Sequence, residues 1–158
     1  MRVVAWRIVK RKLAATAFNG DGARLHGGRW NNPGVAIVYT AQSQALAALE
    51  MLVHLDSPEL LEKYVLFEVG IDPAMITPVE PSQLPRNWRA HPSPAQVRAI
   101  GDAWAASRTS AVLRVPSGLV PGENNFLLNP RHKDFPKLHI GKPLPFRFDL
   151  RLTSKKQT

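Results

Sequence analysis

The sequence predicts a mixed α+β fold with a largely antiparallel sheet and few helices. Short segments rich in valine, isoleucine and aromatic residues outnumber helical patterns. The two helical patterns are spaced irregularly, unlike the alternating strand and helix of a doubly wound sheet. Proline and glycine turns punctuate the remainder. With 158 residues, 44% of them hydrophobic, the chain can bury one sizeable core. It reads as one domain over residues 1–153, followed by a basic tail over residues 154–158.

Taken in order, Val3 to Val9 reads as a strand, apolar with aromatic and β-branched residues. Lys10 to Gly28 is expected to be irregular, with Asn19-Gly20-Asp21-Gly22 as a turn. Val35 to Thr40, after Pro33-Gly34, is a continuous apolar run and so a buried strand. Gln42 to Leu55 is the clearest helix, closed by Ser57-Pro58. Tyr64 to Ile71 is a strand ending at an Asp72-Pro73 turn. Residues 73–94 hold six prolines and are expected to form a long loop without regular structure. Gln96 to Ser107 reads as a second helix, with strands at Ala111 to Val115, Phe126 to Leu128 and Leu144 to Leu152.

The net charge of +9 concentrates at the ends. Residues 1–29 carry seven Lys/Arg against one acid, residues 131–158 eight against two, and the residues between six against nine. That distribution suits an anionic partner, whether nucleic acid, a phosphate-bearing small molecule or an acidic protein, and equally a basic solvated surface. No apolar run long enough to span a membrane and no secretion signal is present, and there is no cysteine, so a cytoplasmic location is expected. Cysteine nucleophiles and thiolate zinc sites are excluded. The five histidines have no metal-ligand spacing, and no GxxxxGK[ST], GxGxxG or GxSxG motif occurs, so no metal is expected.

Four positions stand out chemically. Arg29 follows Gly27-Gly28, which lets the backbone approach a ligand, and its guanidinium matches phosphate oxygens; alone, it is equally an exposed turn arginine. Projected at 100° per residue with Glu50 at 0°, the first helix places Ser43, His54 and Ser57 within about 40° of Glu50, and Ala45, Ala48, Leu52 and Leu55 opposite. Glu50 therefore lies on the more polar stripe, either as a solvated carboxylate paired with His54 or, with Leu46 and Val53 near, as a carboxylate in a partly dry cleft. Tyr39 ends an apolar strand and Ser117 sits in a Pro-Ser-Gly turn; by default these are a core aromatic and a turn-forming hydroxyl.

Their order is specific. GGRWN at 27–31, VYTA at 38–41, ALAALE ending on Glu50 and VPSGLVPGENNFLLNP at 115–130 together resemble the RES-domain family, over essentially the full chain. The arginine, glutamate and serine that name that family match Arg29, Glu50 and Ser117. The resemblance implies an ADP-ribosyltransferase-like fold and a toxin of a type II toxin–antitoxin module, partnered by an Xre-like antitoxin in a hetero-oligomer. It implies NAD+ as substrate, cleaved at the nicotinamide–ribose bond by hydrolysis or phosphorolysis, or used to transfer ADP-ribose to a protein acceptor. Under it, Glu50 stabilises the developing positive charge, Arg29 clamps the anionic side of NAD+, Tyr39 stacks on the nicotinamide and Ser117 bonds the dinucleotide or Arg29. His54 would set the charge around Glu50, and Asn124 and Asn125 would stand close to the site, Asn125 on the dinucleotide. Against this stand a basic nucleic-acid-binding module, supported by charge but lacking a helix-turn-helix, an aromatic-rich binding motif and a basic helix, and a ribonuclease toxin, for which no acid–base pair can be placed.

Overall fold

The computed structural model describes residues 1–154. In chain order its strands and α-helices are β1 (Val3–Lys10), α1 (Asp21–His26), β2 (Val38–Ala41), α2 (Gln44–Leu52), α3 (Ser57–Leu60), β3 (Tyr64–Ile71), β4 (Ile76–Pro78), α4 (Ala95–Ser107), β5 (Val112–Pro116), β6 (Asn124–Leu128), β7 (His139–Ile140), β8 (Leu144–Phe146) and α5 (Arg151–Ser154). The strands form one sheet in the order β4-β5-β6-β2-β1-β3-β7, with β8 also pairing with β3. Every pairing is antiparallel except β4 with β5. The expected mixed, largely antiparallel sheet with few helices is what forms.

Several local expectations are corrected. The segment after β1 is not irregular: Arg11–Thr16 is a 3-10 helix, and α1 follows it. Ser57-Pro58 does not merely close the preceding helix; Asp56 and Glu59 form a reciprocal capping box that starts α3. The proline-rich stretch holds 3-10 turns and β4, which can be proline-containing because it lies at the sheet edge. The strand expected at Val35 to Thr40 runs instead over Val38–Ala41, and the one at Leu144 to Leu152 is reduced to β8 followed by α5. Of the basic tail, Ser154 ends α5 and residues 155–158 lie outside the described residues.

Packing explains the apolar strands. β3 is buried along both faces except at Glu68, which is why it reads as an unbroken apolar run. On one sheet face Ala5, Val38, Val69, Val112, Phe126 and Leu128 form a core. On the other face two clusters lie side by side. One gathers Ile8, Ala41, Tyr64 and Leu66 under Leu46 and Ala47 of α2; the other gathers Leu113, Val115 and Leu127 under Trp30 and the α4 residues Val97 and Trp104. Tyr39 and Ala41, two residues apart and therefore on one face, mark where the clusters meet, Ala41 in the first and Tyr39 packed against the second, opposite Asn125 and Leu127 of β6 respectively.

The sheet opens along the same line. β1 and β2 share only the pair Trp6 opposite Ala41, whereas β1 pairs with β3 from Val3 to Lys10. Arg7 stands in for the missing ladder: its Nη1 donates to the Tyr39 carbonyl at 2.8 Å and its Nε to the Ala17 carbonyl at 2.7 Å. Burial lowers this guanidinium to about 10, still charged at neutral pH.

Gly101 lets α4 accept the Trp30 loop. A Cβ there would lie 1.9 Å from the Trp30 carbonyl oxygen, in rigid backbone. Gly101→Ala is expected to cost about 1–3 kcal/mol despite alanine's better helix propensity, lowering the thermal unfolding midpoint by several degrees at roughly 2–4 °C per kcal/mol; an unchanged midpoint would show that the loop stands off the helix.

Candidate active site

Glu50 turns toward the sheet. α2 buries Leu46 and Ala47, on either side of Glu50 in projection, and leaves Ala45, Leu49 and Val53 exposed. Of the two readings of Glu50, the solvated carboxylate and the partly dry one, the second is what forms: Ala48, Leu52 and Leu55, opposite Glu50 in projection, pack at the margin of the cluster, while Glu50 is part-buried and bonded to Asn125. Ser43 fixes this orientation as the N-cap, its Oγ accepting from Leu46 N at 3.0 Å.

The carboxylate meets Asn125. Asn125 Nδ2 donates to Glu50 Oε1 at 2.7 Å and to the Thr40 carbonyl at 3.1 Å, so the amide is held by β2 and grips the helix at once. The two neighbouring asparagines separate here, because Asn124 is tied through its backbone and Nδ2 to Gln42 Oε1 instead. Burial raises the Glu50 carboxyl to about 7, opposed by the Asn125 hydrogen bond and assisted by the Glu123 charge.

Arg29 forms the other wall. Its Nη1 donates to the carbonyls of Trp88 at 3.0 Å and Ala90 at 3.1 Å, and the Ser93 hydroxyl donates to the Arg29 carbonyl at 2.5 Å. Among the described residues no carboxylate pairs with it. Burial, then the Arg89 charge, lowers the guanidinium from the ordinary arginine range, with Tyr39 acting the other way. Gly118 packs on the guanidinium so closely that a Cβ would lie 2.6 Å from Nε.

Ser117 and Tyr39 act on Arg29 through backbone. Ser117 is buried, and its Oγ accepts from the amides of Leu119 at 3.1 Å and Val120 at 3.0 Å, shaping the turn that presents Gly118. Tyr39 donates its hydroxyl to Asn31 Oδ1 at 2.5 Å and accepts from Trp30 N at 3.1 Å, directly beneath Gly28. Burial pushes its hydroxyl above the usual tyrosine range, so it stays protonated and able to donate.

A cleft of about 580 Å³ runs beside Arg29, lined among others by His26, Asn32, His54, His91 and Arg98. His54, four residues after Glu50, is exposed and borders this cleft, so Arg29 and the end of α2 flank one crevice. Asn32 is fixed by Asp102, which accepts from its backbone N at 3.0 Å and its Nδ2 at 2.7 Å, while Arg98 donates to its Oδ1 at 2.8 Å. Sequence reasoning missed Asn31, Asn32, Ser93, Arg98 and the two carbonyls that hold Arg29; the contacts span up to 70 positions, and no local pattern announces them. Among the described residues no group of histidines and carboxylates could hold a metal ion, and no helix is long and apolar enough to cross a membrane.

The arrangement offers a partly dry carboxylate one helical turn from His54 at the rim of the crevice and, lining the crevice, Arg29 and Arg98, neither with a carboxylate partner among the described residues. It can stabilise developing positive charge at one end of a ligand while holding negative charge at the other. A family model described as RES domain matches residues 4–149. The chain is similar to a protein named Toxin Res from Yersinia enterocolitica serotype O:8 / biotype 1B, 46% identical over 151 residues that cover 95% of this chain and 99% of that one. It is also similar to a protein named Prs ADP-ribosylating toxin from Sphingobium sp. strain YBL2, 40% identical over 155 residues, covering 95% of this chain and 96% of that one. In fold it is similar to a chain of the M. tuberculosis MbcT–MbcA toxin–antitoxin complex, with a TM-score of 0.77 and 17% identity, over all of this chain and 91% of that chain.

The Glu50 carboxyl makes stability depend on pH. The folded chain keeps the proton up to about pH 7, whereas the ordinary value is 4.5. Between them the folded state binds more protons than the unfolded one, so stability falls as pH rises through that window and levels off above it. Glu50→Gln removes that slope. At about pH 8 the variant should be more stable than the parent by about 1–2 kcal/mol, allowing for residual solvent screening, and the gap should close toward about pH 5; denaturant unfolding at both pH values measures it, and equal slopes would place the carboxylate in water.

Proposed function

The chain belongs to the RES-domain family of toxins, and we propose that it cleaves the nicotinamide–ribose bond of NAD+. The observation that carries this reading is Glu50 held by Asn125 one helical turn from His54, which lines the crevice that Arg29 flanks. Cleavage of an N-glycosidic bond builds positive charge on the ribose, as in other glycosidic reactions. A carboxylate already desolvated and oriented stabilises that charge without reorganising. Only its ionised form can do so, which requires loss of the proton that burial favours.

The remaining roles follow from what each group can supply. Arg29 is anchored by two carbonyls through one nitrogen, which leaves other guanidinium N–H groups for the phosphates of the dinucleotide. Arg98 adds charge to the same cleft. Tyr39 holds the Gly28–Asn31 loop through its hydroxyl, and its half-buried ring borders the nicotinamide. Ser117 keeps the turn that backs Arg29. Asn125 orients Glu50 and is positioned, after Glu50 ionises, to stabilise the anion. The ADP-ribose so released passes to water or phosphate, and NAD+ is lost to the cell.

A second reading has its own support. The Sphingobium relative's name denotes an ADP-ribosylating toxin, so transfer of ADP-ribose to a protein side chain is the alternative fate of the same intermediate. The likeness to a toxin–antitoxin complex supports an antitoxin as partner, and the basic ends of the chain suit an acidic one.

Purified protein incubated with NAD+ should release free nicotinamide, followed by chromatography, and Glu50→Gln should slow release by about two to three powers of ten. Arg29→Ala should raise the NAD+ concentration needed for half-maximal rate more than it lowers the rate at saturation. Stimulation by inorganic phosphate would identify phosphorolysis; nicotinamide release only when cell protein is added, with label appearing on that protein, would identify transfer. Release by Glu50→Gln at the parent rate would remove Glu50 from the reaction.

A further inference from the structure

Glu123 has no role in the reaction as described, yet it touches both the Ser117 turn behind Arg29 and the start of α2. Its backbone closes the Ser117 turn: Ser117 N donates to the Glu123 carbonyl at 2.8 Å, and Glu123 N to the Val120 carbonyl at 3.3 Å. Its side chain crosses to α2, where Oε1 accepts from Ser43 Oγ at 3.2 Å. The same Oγ caps the helix by accepting from Leu46 N. A hydroxyl used as an acceptor still has its proton to donate, and a carboxylate is the stronger acceptor for it. The helix start also favours negative charge. Two residues beyond Glu123, Asn125 grips Glu50.

We propose that Glu123 is a positioning residue of the NAD+-cleaving site: through Ser43 it locks the start of α2 to the Ser117 turn, and it places a second negative charge near Glu50. The inference rests on the reading of Glu50 as the charge-stabilising carboxylate. α2 has nine residues and moves as a short rigid rod, so a shift at its cap is carried to Glu50 six residues after the first. The turn that backs Arg29 and the start of the helix that carries Glu50 are thereby tied directly to each other by this side chain. The charge has a separate effect. Around Glu50, β6 contributes the neutral amide of Asn125, α2 is followed by the exposed His54, and Glu123 is the acid whose field adds to burial in raising the Glu50 carboxyl.

Three variants separate the link from the charge. Glu123→Gln keeps an acceptor for Ser43 and removes the charge; Glu123→Ala removes both; Ser43→Ala breaks the link and keeps the charge. The Glu50 carboxyl carbon, assigned with Glu50→Gln, is titrated by NMR in each protein beside steady-state nicotinamide release. The proposal expects the Glu50 midpoint to move toward lower pH in Glu123→Gln and Glu123→Ala, and to stay higher in Ser43→Ala than in either. It expects kcat to fall about 10- to 100-fold in Glu123→Ala and Ser43→Ala with little change in KM, and Glu123→Gln to retain most of it. An unmoved Glu50 midpoint in Glu123→Gln, or parental kcat in Glu123→Ala, overturns it. The titration needs no turnover, so a parent protein that leaves NAD+ intact refutes the reaction while the titration still decides whether Glu123 acts on Glu50.

Discussion

A carboxylate drawn against a sheet must find a donor or give up its charge, and the bond from Asn125 to Glu50 is the point around which this fold is organised. Asn125 can make it because β6 pairs with β2 and places the asparagine opposite Ala41, where a second bond to the Thr40 carbonyl holds the amide flat against the strand. Glu50 can receive it because Ser43 starts α2 immediately after β2 ends. The two are 75 positions apart in the chain. Bringing them together ties the helix, the central strand and the distal hairpin into one unit.

The crevice arises from the way the sheet is covered. α2 lies over one half of a face and α4, with Trp30, over the other. Between them β1 and β2 part after one paired position, and Arg7 stabilises the opening by bonding carbonyls that no strand satisfies. An apolar side chain at that position would leave the Tyr39 and Ala17 carbonyls without this donor. The charges that shape the site thus sit on both faces of the parted strands: Arg7 beneath, Glu50 and Arg29 above. Under the proposed function, binding and charge stabilisation would use groups whose cost of burial the fold has already met.

Much of this was legible in the sequence where a pattern is local and repeated. β1 and β3 show as apolar runs, α2 and α4 as helical periodicities, and the sites of Arg29, Glu50 and Ser117 through the order of short motifs. The inward face of α2 was not legible by periodicity alone, because apolar residues occur on every side of it and only the sheet decides which are covered. Nor could the proline-rich stretch be read as part of the site: its contribution is the carbonyls of Trp88 and Ala90, which every residue has, aimed at an arginine 59 and 61 positions earlier. Ser117 was expected by default to form its turn, and its hydroxyl does so, accepting from the Leu119 and Val120 amides.

The central claim is that ionisation of a partly buried Glu50 carboxylate enables cleavage of NAD+, and the pH dependence of nicotinamide release tests it most directly. Because burial raises that carboxyl to about 7 in the free protein, the rate at NAD+ far below half-saturation should climb through neutral pH with a midpoint near that value and level off above it, and the residual rate of Glu50→Gln should lack this limb. A parental rate independent of pH between about 5 and 8 would contradict the account.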